Sequence, residues 1–252
     1  MSRVPVFGGN WKMNLDQQEA EAFLQDFINQ QFPSSCEVIL FPSFTNLHLM
    51  QKYLKATTVK YGAQNFYFEE KGAYTGEVSL AMLKSMGCTH VLTGHSERRE
   101  IFEESDEMVA KKTAAALNAG LTPMVCVGES LEERKKGLTK VKIRSQVERV
   151  LQEIPRAQGA SLLFAYEPIW AIGTGENASE EDARSGVEVV REAIQEAYGA
   201  QLADSIRITY GGSVKPGNIA SYMAQEGIDG GLVGGASLKS ADFHQLICNG
   251  MG

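Results

Sequence analysis

Short apolar segments alternate with longer segments of mixed polarity along the whole chain. The apolar segments are near-continuous runs, which are typical of parallel strands covered on both faces. Eight segments fit this description and are predicted to be strands: Val4–Asn10, Cys36–Phe41, Val59–Gln64, His90–Thr93, Thr122–Val127, Leu162–Glu167, Ile206–Tyr210 and Gly230–Val233.

The segments between these strands carry the start and stop signals of helices. Asp16 followed by Glu19 has the spacing of a capping box, which predicts a helix over Asp16–Gln31. A second helix is predicted over Ser105–Asn118, because it ends at Asn118-Ala119-Gly120, a helix-stop signal. A third, Ser179–Tyr198, opens with three acidic residues where the helix dipole favours them.

Eight strand-and-helix units in succession predict an α/β fold. Each unit has the size of a strand with its return helix, and no linker divides residues 1–252, so we expect one catalytic domain. The favoured architecture is a closed (β/α)₈ barrel of eight parallel strands with outer helices. Periodicity alone leaves an open, doubly wound sheet as the alternative.

Composition narrows the classes of partner. The formal net charge of −7 does not favour binding to nucleic acid or to an anionic membrane, but a local cluster of donors can still bind a small anion. No apolar run reaches the length of a membrane helix, and the first residues do not resemble a signal peptide. We therefore expect a cytoplasmic protein whose four cysteines are reduced and mostly buried, rather than a secreted chain with two disulfides.

In a barrel, chemistry is expected where strands end and helices begin. Glu167 ends the apolar run LLFAYE, where a carboxylate is sheltered from water and suits a general base. His95 follows a strand and starts a helical segment, so it is expected as a neutral imidazole that donates a hydrogen bond. Lys12 follows the first strand and can balance negative charge on a substrate. Glu97 can pair with Lys12 or with the neighbouring arginines, and no spacing of His and Cys indicates a metal site.

Three glycine-rich corners suit phosphate binding, because glycine lets backbone N–H groups approach an anion. They are residues 172–175, 211–213 and 234–237, and none contains a P-loop or a complete dinucleotide fingerprint. The first corner lies within Pro168–Ala178, a segment that combines a stiff start with a centre of small residues. This segment is predicted to be a lid that excludes water during reaction.

Five motifs, in order along essentially the whole chain, resemble the triosephosphate isomerase family. They are Asn10-Trp11-Lys12-Met13-Asn14, Gly94-His95-Ser96-Glu97-Arg98-Arg99, Ala165 to Gly175 (AYEPIWAIGTG), Tyr210-Gly211-Gly212-Ser213-Val214 and Gly231 to Leu238 (GLVGGASL). The resemblance implies interconversion of dihydroxyacetone phosphate and D-glyceraldehyde 3-phosphate through an enediolate, in glycolysis and gluconeogenesis, without a metal or an organic cofactor.

The resemblance also implies a role for each matching residue. Glu167 would move the carbon-bound proton, and His95 would polarise the carbonyl. Lys12 and Asn10 would stabilise negative charge, with Glu97 supporting Lys12. The phosphate contacts would come from Gly173, Ser213, Gly234 and Gly235.

The family is usually a homodimer in which a protruding loop enters the partner. The matching loop is 65–79, and its Thr75 would approach Asn10 and Glu97 of the second copy. Two rival functions remain open on the residues alone. One is a Schiff-base aldolase using Lys12, and the other is a phosphate-binding scaffold without catalysis.

Overall fold

Eight parallel strands close into a barrel in the computed structural model, which describes residues 3–172 and 178–252. Each strand pairs with the next along the chain, and the last pairs with the first, Val6 opposite Gly230. This closure confirms the predicted (β/α)₈ barrel and excludes the open sheet. The strands are β1 Val6–Asn10, β2 Glu37–Phe41, β3 Lys60–Ala63, β4 His90–Thr93, β5 Thr122–Val127, β6 Leu163–Tyr166, β7 Arg207–Tyr210 and β8 Gly230–Val233.

The outer layer of the described chain consists of α-helices with a few short 3₁₀ turns. The helices are α1 Gln17–Phe27, α2 Leu47–Leu54, α3 Leu80–Ser85, α4 Ser96–Ile101, α5 Asp106–Asn118, α6 Leu131–Lys135, α7 Thr139–Gln152, α8 Glu180–Tyr198, α9 Ala200–Ser205, α10 Ile219–Met223 and α11 Ser240–Met251. In the described ranges, no helix combines the length and apolar character that crossing a membrane requires.

The predicted helix starts are confirmed by their caps. Asp16 accepts from Glu19 N, the Glu19 side chain accepts from Asp16 N, and Ser179 and Asp182 form the same reciprocal pair at α8. The first helix ends four residues earlier than predicted. Its last turn is closed by the Asn29 side chain, which donates to Gln25 O at 2.7 Å, and such a bond satisfies a carbonyl that the helix leaves unpaired.

The first strand also begins later than predicted, at Val6 rather than Val4. Val4 is half exposed, and Pro5 has no N–H to donate to a sheet. From Val6 onwards, side chains alternate between the two faces of the barrel wall. Val6, Ile39, Leu92, Met124 and Leu232 fill the barrel interior.

The alternate side chains form a larger core between the barrel and the helices. Phe7, Leu40 and Phe164 belong to this outer core. Because the alternation continues to the end of each strand, it turns Asn10 inwards at the end of β1 and Glu167 inwards just after β6. The fold thus delivers both residues to one end of the barrel.

Candidate active site

The carboxyl ends of the strands surround a cavity of about 720 Å³. Most of its lining residues lie at or after the ends of five of the eight strands, in the motifs singled out above or close to them. These include Asn10, Lys12, His95, Glu167, Gly211, Ser213, Gly234 and Gly235. Side chains far apart in the sequence therefore face one space large enough for a small phosphorylated molecule.

Glu167 is almost fully buried, with 1% of its surface exposed. Its Oε2 accepts a hydrogen bond of 2.9 Å from Ser96 N, the first amide of α4. Its Oε1 lies 3.1 Å from His95 Nε2, yet no hydrogen bond of acceptable geometry reaches this oxygen from any described residue. A buried carboxylate oxygen without a partner costs free energy. One oxygen is thus held in position while the other is left at the cavity.

The hydrogen bond that the His95 ring accepts fixes its tautomer. Its Nδ1 accepts from Glu97 N at 3.2 Å. An accepting nitrogen carries no hydrogen, so in the neutral ring the hydrogen is on Nε2, the nitrogen nearer Glu167. His95 can therefore donate from Nε2 to an oxygen atom bound in the cavity.

Lys12 is held at three points. Its N–H donates to Asn10 Oδ1 at 3.0 Å, its carbonyl accepts from Gln64 Nε2 at 2.8 Å, and its ammonium lies 2.5 Å from Glu97 Oε1. Its φ of 54° is in the left-handed region, which costs free energy for a residue other than glycine. The backbone is thus held in a strained form that sets the ammonium at the cavity.

Of the partners considered for Glu97, the structure pairs it with Lys12. The neighbouring arginines bind elsewhere: Arg98 pairs with Glu104, and Arg99 with Asp106. An ammonium in a close ion pair is a poor nucleophile for a carbonyl group, which disfavours the Schiff-base reading of Lys12.

The glycine corner after β8, one of the three expected to bind phosphate, lies beside Lys12. A Cβ atom built on Gly234 would be 3.5 Å from Lys12 Cε, whereas one built on Gly235 would meet no atom within 4 Å. The corner of β7 is braced by Asn218, which donates to Ser213 O at 3.0 Å and accepts from Lys215 N at 2.7 Å. The β8 corner therefore offers room near a cation, and the β7 corner has a fixed backbone. Gly173 lies outside the described residues.

No group of three or more His, Cys, Asp or Glu side chains in the described part of the chain is placed to hold a metal ion.

Comparison with known proteins matches residues 5–250 to the family model described as triosephosphate isomerase. A triosephosphate isomerase of Caldanaerobacter subterraneus subsp. tengcongensis is 46% identical over 97% of this chain and 99% of its own length. Those of Clostridium perfringens and Clostridium botulinum are each 45% identical over the same shares.

The chain belongs to the triosephosphate isomerase family.

Within this family fold, the structure adds residues to the site that the sequence did not single out as site residues. Gln64 is the clearest, because its amide donates both to Lys12 O and to Phe41 O, each at 2.8 Å. It follows β3 directly, so the rule that chemistry lies at strand ends could have found it. From the sequence, Gln64 is predicted only as the last residue of the strand Val59–Gln64.

Gly211 is a second addition. A Cβ atom there would lie 2.9 Å from Glu167 Cγ, closer than real contacts allow. Position 211 must therefore be glycine for Glu167 to keep its place. In the sequence, Gly211 was interpreted only as part of a phosphate corner.

A buried carboxylate, Glu129, joins the start of the predicted lid to the barrel. It accepts from Trp170 Nε1 at 2.9 Å and from Tyr166 Oη at 3.1 Å. Burial raises the pKa of Glu129, and these hydrogen bonds oppose that rise. Arg134 lies over the Trp170 ring, 4.2 Å from its centroid, and binds Asp182 at the start of α8. Both flanks of the lid segment are thus tied to α6 and to the loop before it, while residues 173–177 lie outside the described residues.

Proposed function

We propose that the cavity at the carboxyl end of the barrel interconverts dihydroxyacetone phosphate and D-glyceraldehyde 3-phosphate through an enediolate. As a member of the triosephosphate isomerase family, the protein is an isomerase of triose phosphates. The observation that carries the catalytic assignment is the buried Glu167, whose Oε1 has no hydrogen-bond partner among the described residues. We propose that residues 1–252 form one catalytic domain.

Glu167 is the proposed base. Its Oε1 takes the proton from the carbon next to the carbonyl group, and the electron pair of that C–H bond forms the carbon–carbon double bond of the enediolate. Glu167 then returns the proton to the neighbouring carbon. The bond from Ser96 N to Oε2 supports this role, because it keeps the carboxylate oriented while Oε1 reacts.

His95 is the proposed electrophile. With hydrogen on Nε2, it donates to the substrate's carbonyl oxygen and then moves the hydroxyl proton between the two oxygens. Lys12 and Asn10 stabilise the developing negative charge, and Glu97 holds the ammonium in place. Asn10 Oδ1 accepts from Lys12 N, so the Asn10 NH₂ group is the part of the side chain that donates to the substrate.

The phosphate group is proposed to bind at Ser213, Gly234 and Gly235, with Gly173 as a further contact from the lid segment. The room above Gly235 and the closeness of Gly234 to Lys12 support this placement. Closure of the lid would exclude water and protect the enediolate from losing its phosphate. We propose no metal or organic cofactor, because proton transfer needs only these groups.

A second copy of the chain is the proposed macromolecular partner, with neither nucleic acid nor membrane involved. A groove of about 250 Å³ opens beside the site, lined by Lys12, His95 and Glu97 together with apolar residues. Two of these apolar side chains are strongly exposed in the single chain, Met13 at 96% and Phe102 at 64%. Exposed apolar side chains that line one groove are typical of an interface.

Loop 65–79 of the second copy is proposed to fill this groove, with its Thr75 against Asn10 and Glu97. Thr75 itself is exposed. The loop is ordered at its base, since Tyr67 N donates to Val78 O at 2.9 Å and Lys112 Nζ donates to Asn65 Oδ1 at 2.8 Å. A braced, exposed loop is suited to docking. The reaction places the enzyme in glycolysis and gluconeogenesis, and we propose the cytoplasm as its location.

Turnover of D-glyceraldehyde 3-phosphate by the unmodified protein, beside Glu167→Gln, tests the proposed base. The glutamine can still accept from Ser96 N but cannot take a proton, so we expect a normal fold and a loss of kcat of about 10³-fold or more. Glu19→Gln, in the cap of α1, serves as the matched control with unchanged turnover. Turnover that survives in Glu167→Gln would remove Glu167 as the base.

Thr75→Arg tests the proposed dimer. The larger, charged side chain should weaken both association and activity, as measured by sedimentation and by turnover across protein concentrations. A fully active monomer would contradict a role of the second copy in the site.

A further inference from the structure

The four cysteines differ in accessibility. Cys88 and Cys126 are buried, whereas Cys36 and Cys248 are only half-buried, and all four are free thiols. Burial is the main cause that raises the pKa of Cys88 to about 12 and the pKa of Cys126 well above its usual value. These two thiols are therefore protected from exchange with thiols in solution. The accessible pair differs from our expectation of mostly buried cysteines.

Cys36 and Cys248 lie on two segments that pack side by side, the α1–β2 loop and α11. Gln30 Nε2 donates to Ser240 Oγ at 2.8 Å, and the Phe32 ring meets the His244 ring edge-on at 5.5 Å. The loop between α1 and β2 therefore runs along α11. Cys36 ends this loop, and Cys248 lies in the last turns of α11.

Cys248 also has an imidazole beside it. His244, one helical turn earlier, places Nε2 3.5 Å from Cys248 Sγ and 2.9 Å from Gln31 O. A carbonyl oxygen can only accept, so Nε2 carries a hydrogen and the sulfur lies within reach of the same N–H. An N–H group close to a sulfur atom favours the thiolate, which is the form that attacks disulfides.

We propose that Cys36 and Cys248 form a reversible disulfide that joins the α1–β2 loop to the C-terminal helix, with Cys248 as the thiol that reacts first.

The exchange with a small disulfide balances in two steps. The Cys248 thiolate attacks one sulfur of oxidised glutathione, so that its S–S bond breaks, a mixed disulfide forms and one glutathione thiolate leaves. The Cys36 thiolate then attacks Cys248 Sγ and expels the second glutathione. The protein loses two protons and two electrons, and two reduced glutathione molecules receive them.

The environment of Cys36 explains this order of attack. Burial, and secondarily the nearby Cys248, raises the pKa of Cys36 to about 11. At neutral pH its thiolate is scarce, so its step should be the slower one and should accelerate as pH rises.

The disulfide would change the stability of the protein and not its turnover. Cys36 directly precedes β2, at the amino end of the barrel, whereas the catalytic cavity lies at the carboxyl ends of the strands. A link between these two parts of the chain closes a very long loop, which constrains the unfolded state. The disulfide should therefore raise Tm by roughly 5–10 °C and leave kcat unchanged.

The test treats the native, full-length protein with oxidised glutathione, blocks the remaining thiols by alkylation and maps disulfides by peptide mass spectrometry. We expect a peptide pair joined through Cys36 and Cys248, formed faster at pH 9 than at pH 7, and the rise in Tm. Cys36→Ser should stop at a stable glutathione adduct on Cys248. Cys248→Ser should give neither product.

Three results would overturn the proposal. The first is an adduct on Cys248 of the unmodified protein that never resolves to the cross-link, because the thiols then do not meet. The second is a cross-link that forms only in denaturant. The third is an equal shift of Tm in the Cys36→Ser/Cys248→Ser double variant, which would place the effect elsewhere. Circular dichroism of each serine variant checks its fold, and alanine at the same position replaces any that fails.

Discussion

Two buried carboxylates, one at each end of the barrel, differ in how many of their oxygens are hydrogen-bonded. At the amino end, Asp229 has both oxygens bonded, Oδ1 to Arg3 Nε at 2.6 Å and Oδ2 to Arg191 and to Ile208 N, each at 2.9 Å. At the carboxyl end, Glu167 has one bonded oxygen and one without a partner. The two side chains are similarly buried.

This difference separates stability from catalysis. A fully bonded buried carboxylate holds elements together, and removing it leaves buried cations unpaired. A carboxylate with a free oxygen at a cavity contributes less to folding but keeps an atom available for a proton. Changes at the amino end should therefore alter unfolding, and changes at the carboxyl end should alter turnover.

Asp229→Ala is expected to have the largest effect. It leaves the guanidinium of Arg191 buried beside an empty position, so the free energy of unfolding should fall by about 3–5 kcal/mol. Urea unfolding measures this loss. The exposed Asp204 provides the control, since Asp204→Ala should change stability by less than about 0.5 kcal/mol. Equal small changes in both variants would remove Asp229 as a structural tie.

His90 should make stability depend on pH. It is buried at the amino end, 3.5 Å from Glu37, and burial lowers its pKa to about 4. The unfolded chain, with an ordinary pKa near 6.5, binds the proton first, so stability is lost as pH falls from about 6.5 to 4. The loss attributable to His90 should reach about 3 kcal/mol near pH 4.

Urea unfolding of His90→Gln across this pH range checks the His90 contribution. The variant should lose less stability on acidification than the unmodified protein, whereas His48→Gln, at an exposed position, should behave like the unmodified protein. Parallel pH curves for all three proteins would contradict a neutral buried His90.

Glu167→Asp should reduce turnover without unfolding the protein. The shorter side chain withdraws the carboxylate from the substrate, and misplacement of about 1 Å can cost about 10²-fold. Steady-state kinetics should show this loss in kcat, while urea unfolding stays within about 1 kcal/mol of the unmodified protein. An unchanged kcat would mean that the position of this carboxylate does not matter.

Gly211→Ala should give a smaller loss at the same end. Its Cβ would push Glu167 Cγ by a few tenths of an ångström from its present place. We expect kcat to fall about tenfold and KM to change little, since this displacement is smaller than that in Glu167→Asp. Gly217→Ala is the control, because a Cβ there meets no atom within 4 Å. Equal kinetics for both alanine variants would show that Glu167 tolerates the contact.

The strands and the motif residues could be predicted from sequence because their signals are local. Apolar runs identify the strands, and the alternation of side chains puts Glu167 inside the barrel. The pairing of Glu97 with Lys12 could not be decided in this way, because Arg98 and Arg99 are much nearer to Glu97 in the sequence than Lys12 is. Their own ion pairs, with Glu104 and Asp106, exist only after the chain has folded.

Contacts that depend on barrel closure also could not be predicted from the sequence. Gln64 reaches Lys12 only because β3 lies two strands from β1, and Asp229 joins the start of β1 to α8 and β7. A polar residue beside a strand shows where its side chain begins but not which distant group it meets. For the same reason, the packing of the α1–β2 loop along α11 could not be predicted from the sequence.

The central claim, that the unpaired oxygen of Glu167 removes a carbon-bound proton, is tested most directly by hydrogen exchange from solvent. Dihydroxyacetone phosphate would be incubated in D₂O with the unmodified protein or with Glu167→Gln, and deuterium at C1 followed by NMR. We predict rapid incorporation with the unmodified protein and almost none with the variant. Incorporation at similar rates with both proteins would contradict the claim.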